Sequence, residues 1–192
     1  MTGTSRTICV FCGAKSGNDP RWILEASAFG RALAARGWAL VYGGGNVGLM
    51  GALADGALSA GGEVIGVIPH KLMQRELAHR GLSRLEVVAD MAERKTRMIA
   101  ISDAFVALPG GLGTLDELFE VLTLVQTRKV QKRLPIVLFG KEYWDEVLNV
   151  EAMAKWRMIK HEDIKFIHFS DDVDDSFRFL TKQLSEIYLA GS

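Results

Sequence analysis

The sequence predicts an α/β fold in which one parallel sheet is covered by helices on both faces. Apolar runs alternate with helical patterns from one end of the 192 residues to the other. The runs are continuously apolar, which is typical of strands buried on both faces of a parallel sheet. Three glycine-containing turns directly follow such runs, at the positions where doubly wound sheets bind their ligands. We therefore expect a single Rossmann-like domain, a doubly wound parallel sheet, over residues 1–192.

The strands are predicted from short apolar runs that are bounded by polar or turn-forming residues. They lie at residues 7–11, 38–42, 63–68, 85–88, 104–108, 135–139 and 165–169. The helices are predicted from apolar residues that recur with helical spacing. They lie at residues 20–36, 49–60, 91–102, 115–128, 143–155 and 172–187. Residues 69–84 interrupt the alternation and are interpreted either as a lid or wall of a binding site or as a solvated connection.

Composition and charge exclude several classes of protein. The 23 basic side chains balance 23 acidic ones, so no global charge favours nucleic acid or a membrane surface as a partner. No apolar run reaches membrane-spanning length, and the first residues lack a signal-peptide core, so we expect a cytoplasmic location. A local basic cluster at residues 128–133 is interpreted as a solvated helix end, where cations are favourable.

The two cysteines, Cys9 and Cys12, form a C-x-x-C pattern at the end of the first predicted strand. Residues three apart on a strand face opposite sides, so we expect two reduced, mostly buried thiols instead of a redox pair. The four histidines are scattered and form no H-E-x-x-H motif, so no metal site is expected. We also expect no cofactor.

Residues 109–117 (PGGLGTLDE) are the most informative segment, because they connect a predicted strand to a predicted helix. Three glycines, Gly110, Gly111 and Gly113, leave backbone N–H groups open to a ligand, and a helix N-terminus adds partial positive charge. Phosphate is the commonest occupant of such a turn. Glu117 follows about one helical turn beyond the expected anion. The segment predicts a site for a phosphate-bearing small molecule with an acid beside it.

The same segment has a structural interpretation. Thr114-x-x-Glu117 matches a capping box, in which Thr114 caps the helix and Glu117 reaches back to the Thr114 N–H. A plain cap needs no glycines before it, whereas close approach of a ligand to the backbone does. Both roles of Glu117 remain open at the level of sequence.

A second glycine loop follows the predicted strand at residues 38–42. Gly43, Gly45 and Gly48 match the dinucleotide pattern G-x-G-x-x-G. The acid expected about 20 residues further on, at the end of the next strand, is missing, since Glu63 lies at the start of that strand. Neither loop carries the Gly-Lys-Ser/Thr of a P-loop. We therefore expect the two loops to hold one mononucleotide from both sides.

A third helix begins at the same edge of the predicted sheet. Asp90 is predicted as its N-cap, with Glu93 at the third helical position. Arg94 and Lys95 then lie in the second turn, where the helix dipole slightly disfavours cations. Either they belong to a solvated face that pairs locally with Glu93, or they point at a phosphate or at Glu117.

Three motifs together resemble the LOG family of nucleoside 5′-monophosphate phosphoribohydrolases. They are residues 42–51 (YGGGNVGLMG), residues 93–95 (ERK) and residues 109–117, and the resemblance extends from Cys12 through Val137. The best-known members release cytokinin bases from their riboside monophosphates. The resemblance implies hydrolysis of the N-glycosidic bond of a cytokinin riboside monophosphate or an AMP-like nucleotide, giving free base and ribose 5-phosphate. It also implies a homodimer or a larger homo-oligomer.

The resemblance places the family's catalytic pair on Arg94 and Glu117. The family's substrate contacts fall on Glu76, Arg94, Lys95, Gly111, Leu112, Gly113, Thr114, Leu115, Asp116, Glu117 and Thr123. The glycine loops add Gly44, Gly45 and Gly110 to the predicted substrate-binding residues. Cytokinin-forming relatives usually have a tryptophan after the threonine and a Gly-Ile-His segment downstream, where this chain has Leu124 and Thr127-Arg128-Lys129. The preferred base is therefore left open.

The chemistry of N-glycosidic hydrolysis suits these residues. The reaction passes through a ribosyl cation, which a carboxylate such as Glu117 can stabilise while it holds ribose hydroxyls or activates water. Arginine stays protonated, so Arg94 is expected to orient Glu117 or to bind substrate, and the group that protonates the departing base is not identified.

Two other functions use the same sequence features. A non-catalytic nucleotide-binding or sensor protein would need the glycine loops but not both Arg94 and Glu117. A pyridoxal-phosphate decarboxylase would need a lysine in a context suited to a Schiff base, which the sequence does not mark. Trp144, Trp156 and Met158 give indirect support to a homo-oligomer, as large apolar side chains that one small domain need not bury entirely.

Overall fold

A computed structural model of the protein describes residues 6–73, 78–127 and 134–190. Seven strands form one sheet: β1 Thr7–Phe11, β2 Ala39–Tyr42, β3 Val64–Pro69, β4 Arg84–Val88, β5 Ala104–Ala107, β6 Ile136–Phe139 and β7 Ile167–Ser170. The strand order is β4-β3-β2-β1-β5-β6-β7, and every neighbouring pair is parallel. The predicted doubly wound parallel sheet is confirmed.

Helices connect the strands within the described ranges. They are α1 Arg21–Ala35, α2 Gly48–Ser59, α3 His70–Met73, α4 Met91–Ala100, α5 Leu112–Gln126, α6 Lys141–Val147, α7 Val150–Lys155 and α8 Val173–Ala190. The short helix α3 and a 3₁₀ helix at His161–Asp163 were not predicted from the sequence. No helix of the described residues is long and apolar enough to cross a membrane.

The single helix predicted at residues 143–155 is wrong, because the chain forms two helices there. The first helix, α6, begins directly after Gly140 and ends at Val147, and Leu148 is extended. Asn149 then caps α7, since its side-chain oxygen accepts a hydrogen bond of 2.8 Å from the Ala152 N–H. An N-cap side chain that satisfies a backbone donor starts a new helix instead of continuing the old one.

Buried residues form a core on each face of the sheet, as expected for strands covered on both sides. On β1, Ile8 and Val10 belong to one apolar cluster, whereas Cys9 and Phe11 belong to the other. Cys12 returns to the first cluster, so the two thiols lie on opposite faces. Both cysteines are free and buried, as predicted. Burial raises the pKa of each thiol, which keeps them protonated and unreactive.

Trp144 corrects one expectation about incompletely buried side chains. Its side chain is fully buried, and its indole N–H donates to the carbonyls of Ala107 at 3.2 Å and Phe139 at 3.0 Å. Trp144 therefore fastens α6 to the ends of β5 and β6 and gives no support to an oligomer. Trp156 and Met158 are 73% and 76% exposed, and the homo-oligomer stays a prediction.

We predict that Trp144→Phe lowers the free energy of unfolding by about 2 kcal/mol, because two buried carbonyls lose their donor and a small void is left. Trp156→Phe, at an exposed position, should change it by less than about 0.5 kcal/mol. Urea denaturation followed by circular dichroism measures both variants. Equal, small effects would contradict the role of the Trp144 indole.

Candidate active site

The strand order reverses between β1 and β5, and a cavity lies at that point. The chain runs from β1 through β4 toward one edge of the sheet and then returns to place β5 on the other side of β1. Ligands of doubly wound sheets bind at this reversal, beyond the carboxyl ends of the strands. The cavity there has a volume of about 500 Å³. Its walls come mainly from the loops that follow β1 and β5.

The loop after β1, residues 13–18, forms one wall of the cavity. The sequence placed this loop at the correct edge of the sheet but assigned it no binding role. The Gly13 N–H donates to the carbonyl of Pro109 at 3.0 Å, which joins the two loops directly. Trp22 and Tyr143 also line the cavity and were missed, because nothing in their local sequence indicates which loop they face.

The first turn of α5 forms the opposite wall. Gly111 is the N-cap residue, and no side chain caps this helix end. The N–H groups of Leu112, Gly113 and Thr114 have no hydrogen-bond acceptor among the described residues, and the first turn of a helix normally lacks one. Gly111, Gly113 and Thr114 line the cavity. This wall therefore offers open backbone donors and the positive end of a helix dipole to an anion.

The capping box predicted from Thr114 and Glu117 is wrong. The helix begins at Leu112, three residues earlier than expected, so Thr114 lies inside the first turn and is not the N-cap. Glu117 is then too far along the helix to reach back to the cap, and its carboxylate binds Arg94 instead. The glycines at 111 and 113 enter the helical turn, although glycine has a low helix propensity. The capping-box interpretation of Glu117 is thereby excluded.

Arg94 and Glu117 form a buried ion pair in the cavity wall. The Arg94 Nη2 atom lies 2.9 Å from the Glu117 Oε1 atom, and their side chains are only 10% and 6% exposed. Helix α4 begins at the predicted N-cap, because Asp90 Oδ1 accepts a hydrogen bond of 2.9 Å from the Glu93 N–H. This start directs Arg94 inward, where its Nε donates to the carbonyl of Val67 at 3.0 Å. The prediction that a cation of this helix points at Glu117 holds for Arg94.

Burial sets the charge properties of this pair. It raises the pKa of the Glu117 carboxyl above the usual range of glutamate, and the Arg94 guanidinium partly opposes that shift. A carboxyl with a raised pKa holds a proton more readily than an ordinary surface glutamate, whereas the neighbouring guanidinium favours its ionised form. The pair thus places a carboxyl group and a guanidinium side by side in the wall of the cavity.

Gly43 makes room for the Arg94 guanidinium. A Cβ atom at residue 43 would lie 2.1 Å from the Arg94 Nη2 atom, which is far inside van der Waals contact. The loop after β2 therefore supports the ion pair from behind. Beyond this loop, Leu49 and Met50 in the first turn of α2 line the cavity.

Gly44 and Gly45, predicted as substrate-binding residues, lie outside the lining of the cavity. The Gly44 carbonyl accepts a hydrogen bond of 2.9 Å from the His79 N–H, and the Gly45 carbonyl accepts one of 3.1 Å from the Tyr42 hydroxyl. The second loop that faces α5 across the cavity is the loop after β1, not the loop after β2. The order of strands in the sheet decides this, and the sequence does not reveal that order.

The remaining predicted contacts divide into two groups. Gly110, Gly111, Gly113, Thr114, Arg94 and Glu117 line the cavity. The cavity lining does not include Lys95, Leu112, Leu115, Asp116 or Thr123. The Lys95 ammonium instead binds Asp116 at 3.0 Å and Glu120 at 2.6 Å. Leu112 is 85% exposed. Glu76 and the basic cluster at residues 128–133 lie outside the described residues. Substrate contacts at these positions stay predictions.

The fold and the site define a class of protein: a Rossmann-like protein with an uncapped helix end beside a buried arginine–glutamate pair. Residues 50–180 match a family model described as "Possible lysine decarboxylase". A cytokinin riboside 5′-monophosphate phosphoribohydrolase of Rhodococcoides fascians is 51% identical over 148 residues, which cover 76% of this chain and 74% of that protein. One of Arabidopsis thaliana is 44% identical over 145 residues, covering 75% and 67%. The chain belongs to the LOG family, the family of hydrolases to which these relatives belong.

Solved structures share the fold at lower identity. A molybdenum cofactor binding protein from Rippkaea orientalis superposes with a TM-score of 0.72 at 24% identity, covering 94% of this chain and 98% of that one. The molybdenum cofactor carrier protein of Chlamydomonas reinhardtii gives a TM-score of 0.70 at 24% identity, covering 95% and 99%. Likeness at this level shows the common architecture and assigns no ligand to this chain.

We predict that Gly43→Ala displaces the Arg94 guanidinium from Glu117, because the new methyl group would occupy the position of the Nη2 atom. Enzyme turnover should fall at least ~10-fold, on the scale of a misplaced catalytic group. Gly37→Ala serves as a control, since a Cβ atom there meets nothing within 4 Å, although its φ of 66° carries some backbone strain. Steady-state kinetics measures both, and equal turnover in the two variants would contradict the supporting role of Gly43.

Proposed function

We propose that the protein hydrolyses the N-glycosidic bond of a nucleoside 5′-monophosphate and releases the free base and ribose 5-phosphate. One observation carries this proposal: the buried Arg94–Glu117 pair opens into the same cavity as the uncapped first turn of α5. A phosphate site and a carboxylate in one cavity match the two ends of a ribose 5-phosphate unit. The names of the two relatives support the same reaction.

The spacing along α5 supports this arrangement. At about 1.5 Å per residue, Glu117 lies roughly 8 Å along the helix axis from Leu112. Side chains on a helix lean toward its N-terminus, which brings the carboxylate back toward the open N–H groups. A ribose whose 5′-phosphate occupies the first turn would therefore place its C1′ atom near the Glu117 carboxylate. The binding energy of the phosphate is then used to orient the reacting bond.

In the proposed reaction, the bond between C1′ and the base nitrogen breaks, and its electron pair leaves with the base. Positive charge develops on C1′ and the ring oxygen, where the negative carboxylate of Glu117 stabilises it. A water molecule adds its oxygen to C1′, one of its protons balances the base, and the other stays on the new hydroxyl. Arg94 remains protonated throughout and acts by fixing the Glu117 carboxylate.

The identity of the base that is released is the more specific part of the proposal. The two relatives are named for cytokinin riboside 5′-monophosphates. We propose this nucleotide and AMP as substrates, because both carry an N-linked adenine ring on the same ribose 5-phosphate. Nothing in the phosphate site or in the ion pair distinguishes the two, so a direct comparison of rates decides between them.

A nucleotide panel tests the proposed reaction. Purified protein should release free base from AMP or from a cytokinin riboside 5′-monophosphate without added metal, as measured by chromatography of the products. The corresponding nucleosides should react with at least ~100-fold lower kcat/KM, because they lack the anchoring phosphate. Equal efficiency on nucleoside and nucleotide would refute the phosphate site. Tight AMP binding without base release would support a sensor protein, and a visible absorption band with pyridoxal phosphate would support a decarboxylase.

The role of the carboxylate is tested by Glu117→Gln, which keeps the size of the side chain and removes its charge. We predict that kcat falls at least ~100-fold, on the scale of losing one electrostatic stabiliser of the transition state. Binding of ribose 5-phosphate should persist, because the first turn of α5 is unchanged. Arg97→Ala is the matched control: Arg97 lies on the same helix as Arg94 but pairs with Glu86, outside the cavity, and should leave kcat unchanged. A Glu117→Gln enzyme with near-normal kcat would refute the mechanism.

A further inference from the structure

The charges of the cavity wall leave one cation without compensation. Lys15, Arg94 and Glu117 are the charged side chains that line the cavity among the described residues. Arg94 is neutralised by Glu117 at 2.9 Å, and its Nε is bound to the carbonyl of Val67. The Lys15 ammonium has no hydrogen-bond or ion-pair partner in the described part of the chain. Among the described residues that line the cavity, Lys15 is thus the one charged residue without a compensating partner, and it is exposed.

The backbone that carries Lys15 is held firmly against two neighbouring loops. The Gly13 carbonyl accepts hydrogen bonds from the N–H groups of Leu49 at 3.1 Å and Met50 at 3.3 Å. Gly48 has a φ of 60°, and a Cβ atom there would lie 2.4 Å from the carbonyl carbon of Ala14 and 2.6 Å from the Lys15 nitrogen. Glycine is therefore required at residue 48 for α2 to begin directly beside Lys15.

These contacts also decide which helix end is free to bind an anion. The Gly13 carbonyl occupies the N–H groups of Leu49 and Met50, so α2 cannot offer these two donors to a ligand. The first turn of α5 keeps its donors open on the opposite wall. A phosphate in the cavity would meet the α5 donors on one side and the loop of Lys15 on the other, since the Gly13 N–H and the Pro109 carbonyl join these two loops.

We propose that Lys15 binds the 5′-phosphate of the substrate and is the residue that makes the cavity select phosphorylated ribosides over neutral ones. The inference rests on the proposed function for the identity of the substrate. The open N–H groups of α5 contribute partial charges, whereas a phosphate monoester carries close to two negative charges at neutral pH. The Lys15 ammonium on the facing loop supplies the missing full charge through a charge-assisted hydrogen bond.

A different role for Lys15 would be donation of a proton to the departing base. The two roles predict different kinetics. A phosphate anchor contributes to the binding of any ligand with that phosphate, including ribose 5-phosphate, which has no base. A proton donor contributes to kcat and leaves the affinity for ribose 5-phosphate unchanged. The affinity for ribose 5-phosphate therefore separates the roles.

The test measures binding by titration calorimetry at fixed ionic strength for the wild-type protein, Lys15→Ala and Lys15→Arg. Lys15→Ala should weaken the binding of ribose 5-phosphate and AMP by about 10- to 100-fold, the range expected for one charge-assisted hydrogen bond. Adenosine should bind both proteins equally, and Lys15→Arg should recover most of the lost affinity. Lys141→Ala is the matched control, because Lys141 starts α6 and is already paired with Asp145. It removes one charge outside the cavity and should leave phosphate binding unchanged.

Unchanged affinity of Lys15→Ala for ribose 5-phosphate would overturn the assignment, as would failure of the wild-type protein to bind either phosphorylated ligand. Loss of kcat with unchanged affinity for ribose 5-phosphate would assign Lys15 to proton donation instead. Failure of the proposed function gives a different result. If the wild-type protein binds ribose 5-phosphate but releases no base, the proposed activity is refuted. The difference in phosphate binding between Lys15→Ala and Lys141→Ala would still support the role of Lys15. Unfolding midpoints confirm that each variant is folded.

Discussion

The buried ion pair between Arg94 and Glu117 is the constraint on which the rest of the site depends. Burying two charges costs several kcal/mol for each ion unless their geometry and their other hydrogen bonds are well satisfied. Four elements meet that requirement together: α4 supplies the guanidinium, α5 the carboxylate, β3 a carbonyl through Val67, and the loop after β2 an open space at Gly43. Displacing any one of these elements would leave a charge in the protein interior without its partner.

The hydrogen bonds of one backbone residue, Gly13, explain why the start of α5 is open to an anion while donors at the start of the neighbouring helix α2 are occupied. Helices α2 and α5 both begin at the carboxyl edge of the sheet, next to the loop after β1. The Gly13 carbonyl accepts the first donors of α2, and the Gly13 N–H binds the Pro109 carbonyl before α5. Gly13 thus binds donors at the start of α2 through its carbonyl and joins the loop after β1 to the loop before α5 through its N–H. The first donors of α5 remain open. Lys15 follows Gly13 two residues later in the same loop and is among the residues that line the cavity.

Membership of the LOG family and the architecture carry different kinds of information. The fold is shared with molybdenum cofactor proteins at 24% identity, and a doubly wound sheet by itself supports many chemistries. The proposal of an anionic substrate and of a reaction that develops positive charge rests on the ion pair and the open helix end. The cavity is lined by glycines, by large side chains such as Trp22 and Tyr143, and by polar residues such as Ser16, Asn18 and Thr114.

The sequence by itself determined the features that depend on short-range chemistry. Continuous apolar runs gave all seven strands to within two residues, and the Asp90 cap and the two buried thiols followed from local patterns. Contacts between distant segments were decided only by the tertiary structure. The strand order placed the loop after β1, not Gly44 and Gly45, at the cavity, and packing between β5 and β6 buried Trp144.

The positions of helix ends were also decided by the tertiary structure. Helix α5 begins at Leu112, directly after a turn that is bound to the Gly13 loop. Thr114 therefore lies inside the helix and is not its N-cap, and Glu117 pairs with Arg94. Periodicity and turn propensity act over a few residues, whereas the pairing of a buried charge is settled by whichever opposite charge the completed fold brings within reach. The sequence therefore identified Arg94, Glu117 and the glycines before α5, and the tertiary structure added the loop after β1, Trp22 and Tyr143 and excluded Gly44 and Gly45.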